Sequence, residues 1–186
     1  MTRFYEYLNA VRYHVNGLRL RLYLRSTGCK VGKGLKCLRF PIFRDVPRGN
    51  IRIGDHVAFG RGVVFEITRT GSLEVGNEVT IGDNVRLSSA GNIRIGDLAG
   101  IAENISFRGS FHLLSKDLPF KQQGNRSADI SVGRDALIGA GSVVLLGATV
   151  PDGAIVGALS LVTRHDNLHS YGIFGGSPLK HISDRP

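Results

Sequence analysis

The feature that most constrains the fold of this chain is a six-residue repeat. From Ile53 onward an aliphatic or phenylalanine residue recurs every sixth position within each set, and glycine often follows it. A period of six is neither helical nor the alternation of a half-buried strand. Three hexads would form one coil, so the repeat predicts an all-β solenoid with a triangular cross-section. The repeated residues are Ile53, Phe59, Phe65, Val75, Ile81, Leu87, Ile95, Ile101, Phe107, Val132, Ile138, Val144, Val150, Val156 and Val162.

A second set of positions supports the same fold. The residue four positions after the repeated one is usually small or β-branched, as expected for a side chain that shares a narrow prism interior. A glycine-rich α/β chain with chance spacing would instead contain helical stretches, and no segment after Ile53 has a sustained helical period. The small or β-branched residues are Val57, Val63, Val79, Val85, Ala99, Ala136, Ser142, Ala148, Ala154 and Ser160.

Interruptions of the repeat divide the chain. The largest lies between Phe107 and Val132, where residues 113–129 are predicted to leave the prism as an extended loop. Long excursions from a regular array usually carry function. A degraded first coil is predicted to begin at Val31. The predicted parts are an N-terminal basic helical segment (1–30), a β-helix (31–166) and a C-terminal tail (167–186).

The net charge of +9 comes from the N-terminal part of the chain. Residues 1–48 contain 11 of the 24 lysines and arginines and two of the 15 acids. A predicted helix there could cover the open strand edges of the first coil, or residues 1–25 could rest on an anionic membrane surface. No nucleic-acid partner is expected, because no recognised nucleic-acid-binding module accompanies the basic segment. The helical apolar stripe consists of Phe4, Leu8, Val11, Val15, Leu18 and Leu22.

The composition favours a cytoplasmic protein, either free or at the inner face of the membrane. The chain contains no run of 18 apolar residues, so no transmembrane helix is predicted. Arginines interrupt the N-terminal stretch, so no signal peptide is predicted either. The two cysteines, Cys29 and Cys37, are expected to be reduced thiols. Cysteine and histidine show no metal-ligand spacing, so no metal is predicted.

The residue that ends the repeat before the long loop is His112. It takes the last position of the Phe107 hexad, where a side chain would project outward. A neutral imidazole with a pKa near 6.5 can accept a proton from an attacking hydroxyl or amine at cellular pH. We therefore predict that His112 is a general base. No cysteine lies near it in the repeat order, so a covalent acyl-enzyme is not expected.

The last third of the chain carries a more specific pattern. Two uninterrupted coils from Val132 are followed by the exit Val162-Thr163-Arg164, a Tyr-x-Ile turn at Tyr171, and a Gly-x-Pro-x-Lys-x-Ile tail that ends at Ile182. Residues 50–182 thereby resemble the hexapeptide-repeat acyltransferases, a group that includes galactoside, maltose, serine and xenobiotic acetyltransferases. The resemblance implies a left-handed parallel β-helix, a homotrimer with sites in the clefts between subunits, and acetyl-CoA as cosubstrate.

The resemblance also implies roles for particular residues. His112 matches the family's catalytic histidine, although Ser110 stands where a second histidine is common. Asn84 matches an acceptor-contacting asparagine, and its alternative role is that of an ordinary turn residue. Ser88, with Ser89, could face the same cleft. The positions that match donor contacts are Ala140, Gly141, Ala158, Thr163, Arg164 and Lys180.

Several functions remain open on the sequence. The first is transfer of an acetyl group from acetyl-CoA to a hydroxyl of a sugar or cell-surface polysaccharide precursor. The second is N-acetylation of an amino sugar nucleotide, which the same base would serve. A zinc hydratase with this fold would need three histidine ligands at a cleft between subunits, and the spacing of the histidines in this sequence does not suggest such a set. A bare solenoid scaffold would lack both the loop and the histidine beside it. The histidines without shared spacing are His56, His112, His165, His169 and His181.

Overall fold

The computed structural model describes residues 2–186, with side chains from residue 11 onward. One helix, α1 (Thr2–Ser26), precedes three parallel sheets that form the faces of a prism. Sheet A contains β1 (Lys30–Val31), β4 (Ile51–Ile53), β7 (Ser72–Val75), β10 (Asn92–Ile95), β15 (Ile130–Val132) and β18 (Thr149–Val150). Sheet B contains β2 (Lys36–Cys37), β5 (Ala58–Phe59), β8 (Thr80–Ile81), β11 (Gly100–Ile101), β16 (Leu137–Ile138), β19 (Ile155–Val156), β21 (Gly172–Gly175) and β22 (Lys180–Asp184). Sheet C contains β3 (Ile42–Phe43), β6 (Val64–Ile67), β9 (Arg86–Ser89), β12 (Ser106–Arg108), β17 (Val143–Leu145) and β20 (Leu161–Val162).

The hexad residues stack in register along each face, which confirms the predicted solenoid. In sheet A, Ile53 lies between Val31 of the coil before and Val75 of the coil after. Phe59 and Phe107 are completely buried, as are the small residues that share the interior with them. The coil at Val31 is complete, with one short strand in each sheet. The repeat therefore fixes both the strands and the core.

Helix α1 covers the first coil with a different face from the one the apolar stripe suggests. It packs against β1 and β2 through Leu20 and Leu24, which are fully buried, and through Gly17. A Cβ on Gly17 would collide with the carbonyl oxygen of Leu35, so the helix approaches the coil as closely as its backbone allows. The stripe residues Val11, Val15, Leu18 and Leu22 are instead exposed on the opposite side. The side chains of Phe4 and Leu8 lie outside the described residues.

The excursion from the prism begins earlier than the repeat indicates. The chain leaves sheet C after Arg108 and forms a two-stranded antiparallel sheet from β13 (Ser110–His112) and β14 (Asn125–Ser127). A short 3₁₀ helix (Phe120–Gln122) lies between these strands. We call residues 110–127 the arm. His112 therefore belongs to the arm and not to a corner of the prism, because β13 pairs with β14 and with no strand of the prism.

The C-terminal tail extends sheet B. Strand β21 pairs in parallel with β19, and β22 then folds back antiparallel on β21. On this terminal hairpin two histidines without shared sequence spacing, His169 and His181, meet at Asp184. The antiparallel return produces this contact, which repeat counting does not reveal. No helix within residues 2–186 combines the length and the apolarity that crossing a membrane requires.

Candidate active site

A cavity of about 230 Å³ lies where the arm leaves the prism. Phe111 of β13 forms one wall, and Leu145 and Leu146 at the end of β17 form another. Thr163 and the side chains of Arg164 and His165, which follow β20, complete the lining. The cavity thus joins an apolar surface to a basic rim. This pairing suits a ligand that has an extended apolar arm and anionic groups.

His112 follows Phe111 on β13 and does not itself line this cavity. Its side chain is exposed, and its ring packs edge-to-face against Phe120 with 5.3 Å between ring centroids. His112 is the register partner of Asn125 on β14, and the next backbone N–H, that of Leu113, donates to the carbonyl of Gly124 at 3.1 Å. The imidazole therefore stands on a paired strand and remains accessible to an acceptor.

Polar contacts within the arm hold its distal part. The side-chain oxygen of Gln123 accepts a hydrogen bond from the backbone N–H of Ser115 at 2.6 Å. Its amide nitrogen donates to the carbonyls of Ser115 (2.7 Å) and Leu118. The Ser115 hydroxyl also donates to Asp117 at 2.7 Å. The loop beyond His112 is thus closed on itself by a glutamine clamp, which supports the strand that carries the imidazole.

Of the residues predicted to contact the acceptor, Ser88 lies closer to the arm than Asn84 does. Ser88 pairs with Arg108 in sheet C, and its carbonyl accepts the N–H of Gly109 at 2.8 Å, just before the arm begins. The neighbouring Ser89 is buried, and its hydroxyl accepts the N–H of Gly91 at 2.9 Å. This use of Ser89 is structural.

Asn84 occupies a corner at the other end of β9. It has a positive φ of 58° and donates from Nδ2 to the side-chain oxygen of Asn104 at 3.2 Å. Asparagine tolerates this left-handed conformation better than most residues. Within this chain, the turn geometry and the contact with the next coil account for Asn84.

The residues predicted to bind the donor divide into three places. Thr163 and Arg164 line the cavity beside the arm. Ala140, Gly141 and Ala158 lie at the corner between sheets B and C, where the carbonyl of Ala140 accepts the N–H of Leu159 at 2.8 Å. Lys180 is exposed on the terminal hairpin opposite Gly175. One chain therefore brings only the first pair to the arm, where they lie beside Phe111, the neighbour of His112 in the sequence.

Asp166 fixes the exit from the last coil. Its carboxylate accepts hydrogen bonds from the Thr163 backbone N–H at 2.6 Å and from the Thr163 hydroxyl at 2.8 Å. The Arg164 Nε donates to the ring of His165 at 3.1 Å, which orients the guanidinium along the rim of the cavity. The family resemblance indicates Thr163 and Arg164, whereas Asp166, His165 and the leucine wall were not predicted from the sequence. All four residues come shortly after Val144 or Val162, which stack on Phe107 in sheet C, and this shared register with the start of the excursion could have indicated them.

The two cysteine thiols are not placed to act as nucleophiles. Cys29 and Cys37 are both free and buried, and they lie in the first coil. Burial raises the pKa of Cys37 to about 11, and Arg19 only partly opposes that shift. Thiolate is the reactive form, so at neutral pH Cys37 is inert.

Comparison with known proteins finds similarity to acyltransferases. The chain is 28% identical over 142 residues to the dTDP-4-amino-4,6-dideoxy-D-glucose acyltransferase of Escherichia coli, which covers 73% of this chain and 72% of that protein. It is 24% identical over 158 residues to WbbJ, a putative lipopolysaccharide biosynthesis O-acetyl transferase of Escherichia coli K12, covering 81% and 79%. No protein-family model matches the chain.

The fold agrees with a solved acyltransferase structure. AntD, an N-acyltransferase from Bacillus cereus in complex with dTDP and 3-hydroxybutyryl-CoA, superposes with a TM-score of 0.72 at 21% identity, over 88% of this chain and 87% of AntD. The predicted left-handed β-helix is thereby confirmed. The homologues of this chain are hexapeptide-repeat acyltransferases, and the resemblance predicted from its sequence is confirmed.

Proposed function

We propose that this protein transfers an acetyl group from acetyl-CoA to a hydroxyl of a sugar or cell-surface polysaccharide precursor, with His112 as the general base. The observation that carries the proposal is the exposed imidazole of His112 on the arm, in the strand whose Phe111 lines a cavity with a leucine wall and a basic rim. The relatives support it, because both named Escherichia coli proteins are described as acyl or acetyl transferases.

The reaction requires little besides proton transfer and positioning. The oxygen of the acceptor hydroxyl attacks the thioester carbonyl while His112 accepts the proton of that hydroxyl. A C–O bond forms and the C–S bond then breaks. The proton goes to the departing sulfur, which leaves as the thiol of CoA. General-base assistance contributes roughly 100- to 10,000-fold, and holding both substrates together supplies much of the remainder.

The lining of the cavity supports a CoA thioester as the donor. Leu145 and Leu146 offer apolar contact to the pantetheine arm, and Arg164 can donate charge-assisted hydrogen bonds to phosphate. We assign Ala140, Gly141 and Ala158 to the same donor across a subunit boundary, because small residues let the extended pantetheine chain of CoA approach the protein backbone. Lys180 would add a second cation, and Ser88 and Asn84 would contact the acceptor.

The second candidate is N-acylation of an amino sugar nucleotide. Two comparisons favour it: the first Escherichia coli relative is named for a dTDP-amino sugar, and AntD is an N-acyltransferase bound to dTDP. A free amine is already nucleophilic and loses its proton after attack, whereas a hydroxyl needs the base during attack. The two candidates therefore predict different dependence on His112.

Product chemistry distinguishes these candidates. The protein would be incubated with acetyl-CoA and a panel of sugars and sugar nucleotides, and CoA thiol release would be followed alongside mass spectrometry. We expect a mass gain of one acetyl group that mild alkali removes, because esters hydrolyse there and amides do not. An alkali-stable product would replace O-acetylation by N-acetylation. No thiol release with any acceptor, and no CoA binding by calorimetry, would overturn the transferase proposal.

A homotrimer is the assembly that we propose. The arm exposes large apolar side chains, which burial against a neighbouring copy would remove from water. Sedimentation equilibrium should give three times the mass of the chain, and Leu114→Ser should weaken the assembly. A monomer at micromolar concentration would contradict this proposal. The exposed residues are Phe111, Leu113, Leu114, Leu118 and Phe120.

We propose further that α1 rests on the inner face of the cytoplasmic membrane. Val15, Leu18 and Leu22 are 50%, 54% and 60% exposed, and they lie on one side of the helix opposite the face that packs on the prism. By helical spacing Arg12 and Arg19 flank one edge of this stripe. Apolar residues between cations are typical of a helix that lies in an anionic lipid interface.

Flotation with lipid vesicles tests this membrane contact. Vesicles with phosphatidylglycerol should carry the protein upward, and pure phosphatidylcholine vesicles should carry much less. The double change Leu18→Ser and Leu22→Ser should abolish flotation, whereas Leu159→Ser, at an exposed leucine (78%) on the prism, should not. Equal flotation of both variants, or none for the wild type, would contradict the proposal.

A further inference from the structure

Three side chains that the acyl-transfer chemistry does not use converge on the terminal hairpin. The Nε2 atom of His169 lies 2.7 Å from Oδ1 of Asp184, and Nε2 of His181 lies 3.0 Å from the same oxygen. Candidate ligand atoms of these three residues all lie within 4.8 Å of one another. Two imidazole nitrogens and a carboxylate oxygen therefore face one point on the surface.

The surrounding packing holds the two rings in place. Phe174, which is buried, lies 5.2 Å from the ring of His169 and 5.4 Å from that of His181, measured between centroids. Gly172 leaves the space that His169 occupies, because a Cβ there would lie 2.8 Å from its Nε2. Phe174 thus supports both rings from the interior side, while the side chains of His169 and His181 remain about half exposed.

Arg185 anchors the strand next to Asp184. Its backbone N–H donates to the carbonyl of Tyr171 at 2.8 Å, and its guanidinium donates to Oδ2 of Asp135 at 2.9 Å. Asp184 itself is the register partner of Gly172 in the hairpin. The carboxylate therefore extends from a backbone position that is fixed on both sides, which favours a preorganised site.

We propose that His169, His181 and Asp184 bind a divalent transition-metal ion, for which Zn²⁺ is the best match. Imidazole and carboxylate are typical zinc ligands, and tetrahedral zinc with bonds of 2.0–2.2 Å separates its ligand atoms by about 3.3 Å. To reach that separation, the two nitrogen–oxygen distances of 2.7 Å and 3.0 Å would lengthen by about 0.6 Å and about 0.3 Å. The ion would replace two N–H donors that converge on a single oxygen, and the fourth position would hold water.

The ion would join the turn before β21 to β22 and so fasten the last layer of the prism. Solenoid ends need such caps, because the terminal repeat lacks a neighbour on one side. In this role the metal stabilises the fold and takes no part in acyl transfer. Metal that binds the folded form preferentially must raise the free energy of unfolding.

Calorimetric titration with ZnCl₂ tests the site, using protein without a histidine tag. We expect one ion per chain and a zinc-dependent rise in the unfolding temperature. Outer-shell partners alone typically contribute 10- to 100-fold to metal affinity, so His169→Gln or His181→Gln should lower the affinity by ~100-fold or more. Asp184→Asn keeps an oxygen that accepts both N–H groups but loses the ligand charge, so it should also lose zinc affinity. His14→Gln, which changes an exposed histidine of α1, should bind as the wild type does.

The outcomes separate metal binding from a simple hydrogen-bonded clamp. Equal zinc uptake by the wild type and the His181→Gln variant, or no uptake by either, would overturn the proposal. The three side chains would then have only their hydrogen bonds to one another as a role. Circular dichroism would verify that each variant folds. Acyl transfer should persist after chelation, and a loss of activity upon chelation would overturn the purely structural role.

Discussion

The prism and the arm use their side chains in opposite ways. In the prism, Phe59, Phe107 and Val144 are fully buried, and backbone hydrogen bonds such as that from Gly60 to Ile81 (2.8 Å) join successive coils. In the arm, Phe111 is 43% exposed and Leu114 is 77% exposed. The repeat thus produces a scaffold of fixed geometry, and the proposed general base lies where the repeat is interrupted. A residue's place in or out of the repeat should therefore predict what its loss affects.

The largest expected effect on stability is in the prism. Phe107→Ala should lower the free energy of unfolding by about 3–5 kcal/mol, because a buried phenylalanine leaves a cavity between coils. Phe120→Ala in the arm should cost less than about 1 kcal/mol, since that ring is 50% exposed. Urea unfolding followed by circular dichroism measures both. Equal losses of unfolding free energy in the two variants would mean that the arm packs as part of the core and would contradict the contrast between prism and arm.

A smaller effect, on donor binding, is expected at the rim of the cavity. Arg164→Ala should raise the KM for acetyl-CoA by roughly 10-fold, because a hydrogen bond to a charged group contributes about 1.5–3 kcal/mol. Arg94→Ala, at an exposed arginine of sheet A, is the matched control and should leave KM unchanged. Lys180→Ala tests the C-terminal tail in the same assay, because a comparable rise in the KM for acetyl-CoA would mean that the tail reaches the donor site.

The smallest effect concerns the junction where the chain returns from the arm to the prism. The backbone N–H of Asn92 donates to the Asp129 carboxylate at 2.9 Å and its side-chain amide donates at 3.0 Å, which lowers the pKa of Asp129. The ionised Asp129 carboxylate therefore contributes its full stabilisation at pH values above its unfolded-state pKa of about 3.9. This stabilisation is lost as the pH falls through the lower pKa of Asp129 in the folded state.

Unfolding of the wild type and Asp129→Asn at several pH values checks this small effect. The difference in stability should be present at pH 7 and should disappear at pH values below the folded pKa. A difference that persists unchanged in acid would show that the carboxylate charge does not matter at this junction.

The periodic part of the fold could be predicted from the sequence because inward positions are physically restricted. Every hexad residue from Ile53 to Val162 lies in the core, since a narrow prism admits only apolar side chains at those positions. The interruption after Phe107 likewise predicted an excursion. The face of α1 was not predictable in this way. Its buried side includes Gly17, which contributes through close backbone approach and not through hydrophobicity.

The site was predictable only in part. His112 follows from its place at the end of the Phe107 hexad, and Thr163 and Arg164 follow from the family resemblance. The structure brings the last two together with Phe111, the neighbour of His112. The start of the arm at Ser110 depends on antiparallel pairing with β14, which carries no repeat signal. The meeting of His169 with His181 depends on the return of β22, for the same reason.

The most direct test of the central claim, that the arm supplies the base, compares wild-type and His112→Ala turnover at saturating acetyl-CoA and acceptor. His14→Ala on α1 is the control. The account predicts a kcat that is lower by ~100-fold or more in the His112 variant, with an unfolding transition that matches the wild type. A variant that releases CoA thiol at the wild-type rate would contradict it.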